Sequence, residues 1–113
     1  MRIGIYFDLR NPPEWQRSSA ALYSDAIDLA VEAERLGIDS VWVSEHHFFD
    51  DGYLPQPFTM LAAIAARTTR VLLGTAIVVA PLHHPVHLAE QAAIELARKE
   101  QQREPADLIG RAA

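Results

Sequence analysis

Ser40-Val41-Trp42-Val43-Ser44-Glu45-His46-His47-Phe48 runs from an apolar strand directly into a carboxylate and two imidazoles. No turn residue separates the two parts. In parallel α/β folds, ligands bind and chemistry is done at the carboxyl ends of strands. Glu45, His46 and His47 therefore mark an active-site edge. A second imidazole pair, His83-His84, follows the next apolar stretch, Val71 to Ala80. Two successive strands that each end in His-His carry the strongest functional signal in the chain.

Working outward, Ile3 to Leu9 is apolar on both sides, as a strand covered on both faces should be. A polar loop, Arg10 to Ser19, leads into a helix from Ala20 to Leu36. There Leu22, Ala26, Leu29, Ala33 and Leu36 form one stripe, widened by Ile27, Ala30 and Val31. Gly37 stands where a helix-terminating glycine belongs. The loop from Phe48 to Pro57 holds the turn signal Asp50-Asp51-Gly52. An alanine-rich helix follows from Phe58 to Thr69, and then the strand Val71 to Ala80, interrupted by Gly74 and stopped by Pro81. Pro85 opens a third helix, which runs to about residue 102 before Pro105 breaks it. The order β-α-β-α-β-α predicts a parallel sheet with right-handed crossovers. The strand ends then share one face, which collects Asp8, Glu45, His46, His47, His83 and His84.

Composition narrows the function classes. The 113 residues suffice for one small domain. Half are hydrophobic and 22% are charged, a globular rather than a disordered balance. The net charge of −5, with no basic stripe, argues against nucleic acid. The absence of cysteine removes disulfides and thiolate metal sites. No apolar run is long enough to span a bilayer, and the first residues lack the shape of a signal peptide. A cytoplasmic protein without nucleic-acid or membrane partners is the expectation.

Several pieces, in order and at compatible spacing, resemble the N-terminal part of the bacterial-luciferase-like flavin-dependent monooxygenases. They are Gly37 through Phe48, then Asp51-Gly52-Tyr53-Leu54-Pro55, then Leu73-Gly74-Thr75-Ala76-Ile77-Val78-Val79, then Pro81-Leu82-His83-His84-Pro85-Val86, and last Ala89-Glu90. The resemblance covers residues 1 to 93. It implies part of a TIM (β/α)8 barrel and a reduced flavin, FMN or in some relatives the deazaflavin F420. It also implies O₂ activation to oxygenate a small organic substrate, or hydride transfer in the F420-using relatives. Through it, His46 resembles the catalytic histidine at the flavin's reactive edge, with Glu45 and His47 as its immediate supports. Thr75, Ala76 and Ile77 join His46 as cofactor-binding residues, and Ala76-Ile77 matches the position of a non-proline cis peptide that presses on the flavin ring.

The pattern is lost after Ala93. A charged helical stretch and tail, residues 94–113, stand where the family has a turn and a fourth strand. A complete barrel takes eight βα units and typically about 250 residues, whereas three units are present here. A truncated reading frame or barrel fragment, weak or inactive alone, is therefore expected. Open sheet edges and an uncovered inner face predict self-association or a complementing barrel fragment. The alternative is a non-catalytic βα fragment that serves as an interaction module or persists as an inactive remnant.

Each candidate also has a plainer reading. His46 is either an acid-base group, since imidazole ordinarily titrates near neutrality, or a surface histidine at a strand end. Neighbours along a strand point to opposite sides, so His46 and His47 should not share a pocket while the strand continues. Glu45 either orients a histidine or sits in a satisfied hydrogen-bond network behind the barrel wall. His83, His84 and His87 invite a metal, but Pro85 interrupts the helical spacing that would align them, and a shaped loop is the simpler account. No metal is expected. Asp50-Asp51-Gly52 lacks the spaced oxygen ligands of a calcium loop. Trp42 and Phe48 read as core and rim packing.

Overall fold

Strands β1 (Gly4–Phe7), β2 (Ser40–Val43) and β3 (Leu72–Thr75) form one parallel sheet in the order β1-β2-β3 in the computed structural model. Helix α1 (Ser19–Arg35) connects the first pair and α2 (Pro57–Ala65) the second. The structure describes residues 1–101. It divides into a unit Met1–Val79, which holds this sheet, and a second unit that begins at Ala80. In the second, a 3-10 turn, Ala80–Leu82, precedes helix α3 (Pro85–Gln101). The segment predicted to close the chain around Pro105 lies outside the described residues.

Register explains why the sheet has two different faces. Ile5 pairs with Val41 and Val41 with Leu73, while Phe7 pairs with Val43. These residues pack with Ala26, Ala30, Met60, Leu61 and Ile64 of the two helices to make the core. Fully burying side chains such as Val41, Val43, Leu61 and Ile64 stabilises the unit by about 1.5–3 kcal/mol each. The alternate row, Tyr6, Trp42 and Gly74, faces the other way. Trp42 is not the core residue its sequence predicts. Its ring is 40% exposed and Tyr6 is 48% exposed, because no element of this unit covers that face. Glycine makes room for the indole, since a Cβ at Gly74 would stand 2.4 Å from Trp42 Cζ3.

Local chemistry sets the element ends. Ser18 caps α1 by accepting from the Ala21 N–H at 3.2 Å. The helix closes where Gly37 takes φ of +94° and the Ile38 N–H donates to Ala33 O at 3.0 Å. The buried line of α1 is Ala26 and Ala30, flanked by Tyr23 and Ile27. Leu29 and Leu36 of the predicted stripe are exposed, so the packing face is rotated toward the smaller residues that let a helix approach a sheet. Pro57 opens α2 at its first position. Strand β3 ends at Thr75, well before Ala80, and the peptide bond Ala76–Ile77 just beyond it is cis.

Candidate functional site

The three parallel strands deliver their carboxyl ends to one side of the sheet, where four short segments meet: 6–10, 43–49, 51–54 and 75–79. Asp8 follows β1. Leu9 takes φ of +56° and sinks its side chain into the core, which turns the chain just past Asp8. Ser44 to His47 follow β2 without a break. Phe48, at φ of +62° and fully exposed, then reverses the chain into the loop that carries Tyr53.

Side chains alternate through Ser44-Glu45-His46-His47, and the hydrogen bonds sort them into two pairs. His46 Nε2 lies 3.0 Å from Ser44 Oγ. His47 Nε2 lies 2.6 Å from Glu45 Oε1. His46 and His47 therefore have different partners. The His46 backbone N–H donates to Leu54 O at 2.9 Å, tying the strand end to the following loop.

Glu45 is 2% exposed and joins three pieces of chain. Its second oxygen, Oε2, accepts from the Val79 N–H at 2.7 Å. Its backbone N–H donates to Ile77 O at 3.0 Å, and the Ala76 N–H donates to Val43 O at 2.7 Å. The residues around the cis bond are thus held from both sides by the end of β2. Ile77 presents a 69% exposed apolar side chain next to this anchor, and Thr75 closes the strand before it.

On the His46 side the contacts are aromatic and hydroxylic. The His46 ring stacks on Tyr53 and meets the edge of Phe49 at 5.8 Å. The Tyr6 hydroxyl meets Ser44 Oγ at 2.5 Å. The neighbouring Asp8 carboxylate, then burial, then Tyr6 push the Tyr53 phenol above its ordinary range. Arg10 lies over the Tyr53 ring, 5.7 Å from its centre, and pairs with Asp51 at 2.6 Å. Asp51 also accepts from the Tyr53 N–H at 3.3 Å, so the predicted turn serves to place Tyr53. Sequence reasoning singled out neither Tyr6, Ser44 nor Tyr53. Their signal lay in the quoted pieces Ser44-Glu45-His46 and Gly52-Tyr53-Leu54, where the two imidazoles drew attention away from the hydroxyls.

In the second unit, His84 and His87 rings lie 5.3 Å apart, and His84 Nδ1 accepts from the Val86 N–H at 3.3 Å. That bond satisfies a backbone donor in the first turn of α3. Among the described residues no group of three or more His, Asp or Glu side chains is gathered closely enough to hold a metal ion.

The family model described as luciferase-like monooxygenase matches residues 1–94. The oxygenase component of flavin-dependent trigonelline monooxygenase from Acinetobacter baylyi is 36% identical over 94 residues, which are 83% of this chain and 26% of that protein. Among solved structures, monooxygenase RslO1 from Streptomyces bottropensis superposes with a TM-score of 0.77 at 38% identity, over 91% of this chain and 31% of that one. The oxygenating constituent of 3,6-diketocamphane monooxygenase of Pseudomonas putida, solved with FMN, gives 0.78 at 28% identity, over 90% of this chain and 28% of that one. The chain thus spans 26% to 31% of the length of these relatives. No helix among the described residues is long and apolar enough to cross a membrane.

Proposed function

The chain belongs to the luciferase-like monooxygenase family, and from that premise we propose that it supplies the His46 edge of a flavin site. The enzyme would be a monooxygenase that uses reduced flavin and O₂ on a small organic substrate. The observation that carries this reading is that the end of β2, which runs on through Glu45 into His46, also anchors an exposed apolar ledge, Ala76-Ile77, through Val43 and Glu45. An isoalloxazine needs a flat apolar support and a hydrogen-bonding group at its polar edge. Ile77 suits the first need and His46 the second, so the residues fit the cofactor. FMN is the flavin favoured, as the ligand of one structural relative, and F420 is the alternative. When bound, the reduced flavin supplies the electrons that O₂ accepts.

The chain's own residues have separable tasks in this reading. His46 holds or passes a proton at a ring nitrogen beside the flavin edge. Glu45 keeps residues 77–79 against the end of β2, and His47 acts through Glu45. Thr75, Ala76 and Ile77 carry the flavin face. The cytoplasm is the compartment proposed.

Because the chain spans about a quarter of its relatives' length, flavin affinity is expected to need a second polypeptide that completes the barrel. Flavin fluorescence titration of the chain, with and without the remainder of a related barrel, tests this. Saturable binding restored by the added piece supports it. No binding in either arm favours the second reading, a non-catalytic βα module or inactive remnant. The uncovered Tyr6–Trp42 face is the observation behind that reading.

A further inference from the structure

The loop after β1 is anchored on both sides of Arg10. Leu9, at φ of +56°, buries its side chain in the core. Asn11, 6% exposed, closes residues 11–17 into a hydrogen-bonded ring. Its Nδ2 donates to Arg17 O at 2.7 Å and its Oδ1 accepts from the Arg17 N–H at 2.9 Å. The Asn11 backbone N–H donates in turn to Asp51 O at 3.0 Å. Arg10 therefore reaches the loop after β2 from a fixed base. Its Nε donates to Asp51 Oδ2 at 2.6 Å, and its guanidinium lies over the Tyr53 ring. Asp51 carries the hold onward, since its Oδ1 accepts from the Tyr53 N–H at 3.3 Å. Tyr53 stacks on the His46 imidazole, and the residue after it, Leu54, accepts from the His46 N–H.

We propose that Arg10, acting through Asp51 and Tyr53, sets the plane of the His46 imidazole. Arg10 and Asp51 are positioning residues for His46. Asp51 is 6% exposed, and a carboxylate so placed is costly without its cation. Deprived of Arg10, it regains water by turning outward, and the Tyr53 backbone it holds turns with it. The Arg10 bond, outweighing burial, keeps the Asp51 carboxyl below the usual carboxylate range. The assignment deepens the flavin reading and rests on it for its functional meaning, because a ring held in one plane offers its nitrogens to the flavin edge in one direction.

Proton NMR of the 113-residue chain, with the imidazoles neutral, reads the stack through the His46 ring protons. The Tyr53 ring current should move them upfield of those in a short histidine peptide. His46→Gln assigns the signals, and Tyr53→Leu gives their position without the stack. Arg10→Met keeps the stem of a half-exposed side chain and removes its charge and donors. It should carry the His46 signals most of the way to their Tyr53→Leu position, while the methyl signals of buried Val41 and Ile64 stay in place. Asp51→Asn keeps an acceptor for the Tyr53 N–H, loses the charge and should act like Arg10→Met. Arg35→Met breaks an ion pair of the same kind on α1 and should leave His46 unmoved. Wild-type His46 positions in Arg10→Met overturn the proposal, as does a wild type with no upfield shift to lose. Should Arg10→Met displace the core signals, Asp51→Asn decides by the same two positions. No flavin enters the measurement, so its failure and the failure of the flavin reading are seen separately.

Discussion

The imidazole of His46 lies face to face with the phenol of Tyr53, ring centres 3.7 Å apart and planes 4° from parallel. Two residues seven apart in sequence are thereby held together at the carboxyl end of the sheet.

Tyr53 is a late-titrating phenol. Its folded pKa stands above its ordinary value of 10.0, first through the Asp8 carboxylate nearby. The neutral phenol is the form the folded state favours. Its contribution to stability is present below the unfolded pKa and is lost as pH rises toward the folded one. Phenolate absorbance should show a component on the alkaline side of an ordinary tyrosine. Tyr53→Phe should abolish it, and Asp8→Asn should move it to lower pH. A titration identical in wild type and Tyr53→Phe, apart from amplitude at ordinary pH, refutes this influence of Asp8.

Glu45 has a different task, and its carboxylate is shared between the Val79 N–H and His47. Glu45→Ala strands a buried backbone donor and removes the partner of His47. The cost should be about 1–3 kcal/mol, read as a lower urea midpoint. Glu45→Gln keeps one carbonyl acceptor and should lie between the two. A double-mutant cycle with His47→Ala should show coupling. Additive losses would mean that the 2.6 Å contact carries no energy.

These contacts show where sequence reading stops. The strand Ser40–Val43 and the Glu-His-His step at its end were legible because an apolar run and an abrupt polarity change are local signals. Parallel pairing followed from strand–helix alternation, and the position of the cis bond followed from the family resemblance. Trp42 was misread because alternation gives the side of a sheet but not what covers that side. Leu29 and Leu36 were misread because the apolar stripe of α1 is wider than the face that packs. The meeting of Tyr6, Ser44, His46 and Tyr53 was invisible for a similar reason. It joins a strand, the end of its neighbour and a loop, and no periodicity encodes such a meeting.

Away from the site, Glu34 near the end of α1 ties down the start of β3. Its carboxylate accepts from the Thr69, Arg70 and Val71 N–H groups, at 2.6 Å for the last two. Partial burial pulls its pKa up, but the backbone donors and the charge of Arg70 outweigh that and leave it below its ordinary value of 4.5. The stabilisation is therefore present above the unfolded pKa and fades as pH falls through the folded one. Glu34→Gln should lower stability at neutral pH by about 1 kcal/mol, the net worth of one ordinary hydrogen bond. The gap from wild type should close on acidification. A gap that stays constant down to strongly acidic pH would show that the carboxylate charge is not what these donors read.

Tyr6 and Trp42 stand directly opposite one another in register, both roughly half exposed on the face that α1 and α2 leave bare. Among the described residues, the outer edges of β1 and β3 have no strand partner either. Apolar surface beside open backbone edges drives association, so the isolated chain should scatter light as more than a monomer at micromolar concentration. Covering an aromatic of this size is worth on the order of 2 kcal/mol. Trp42→Glu should therefore weaken association by roughly tenfold or more while sparing the helix-covered core. If association instead ran only through the strand edges, Trp42→Glu would leave its strength unchanged. A monodisperse wild-type monomer would mean that neither the bare face nor the edges bind a second copy.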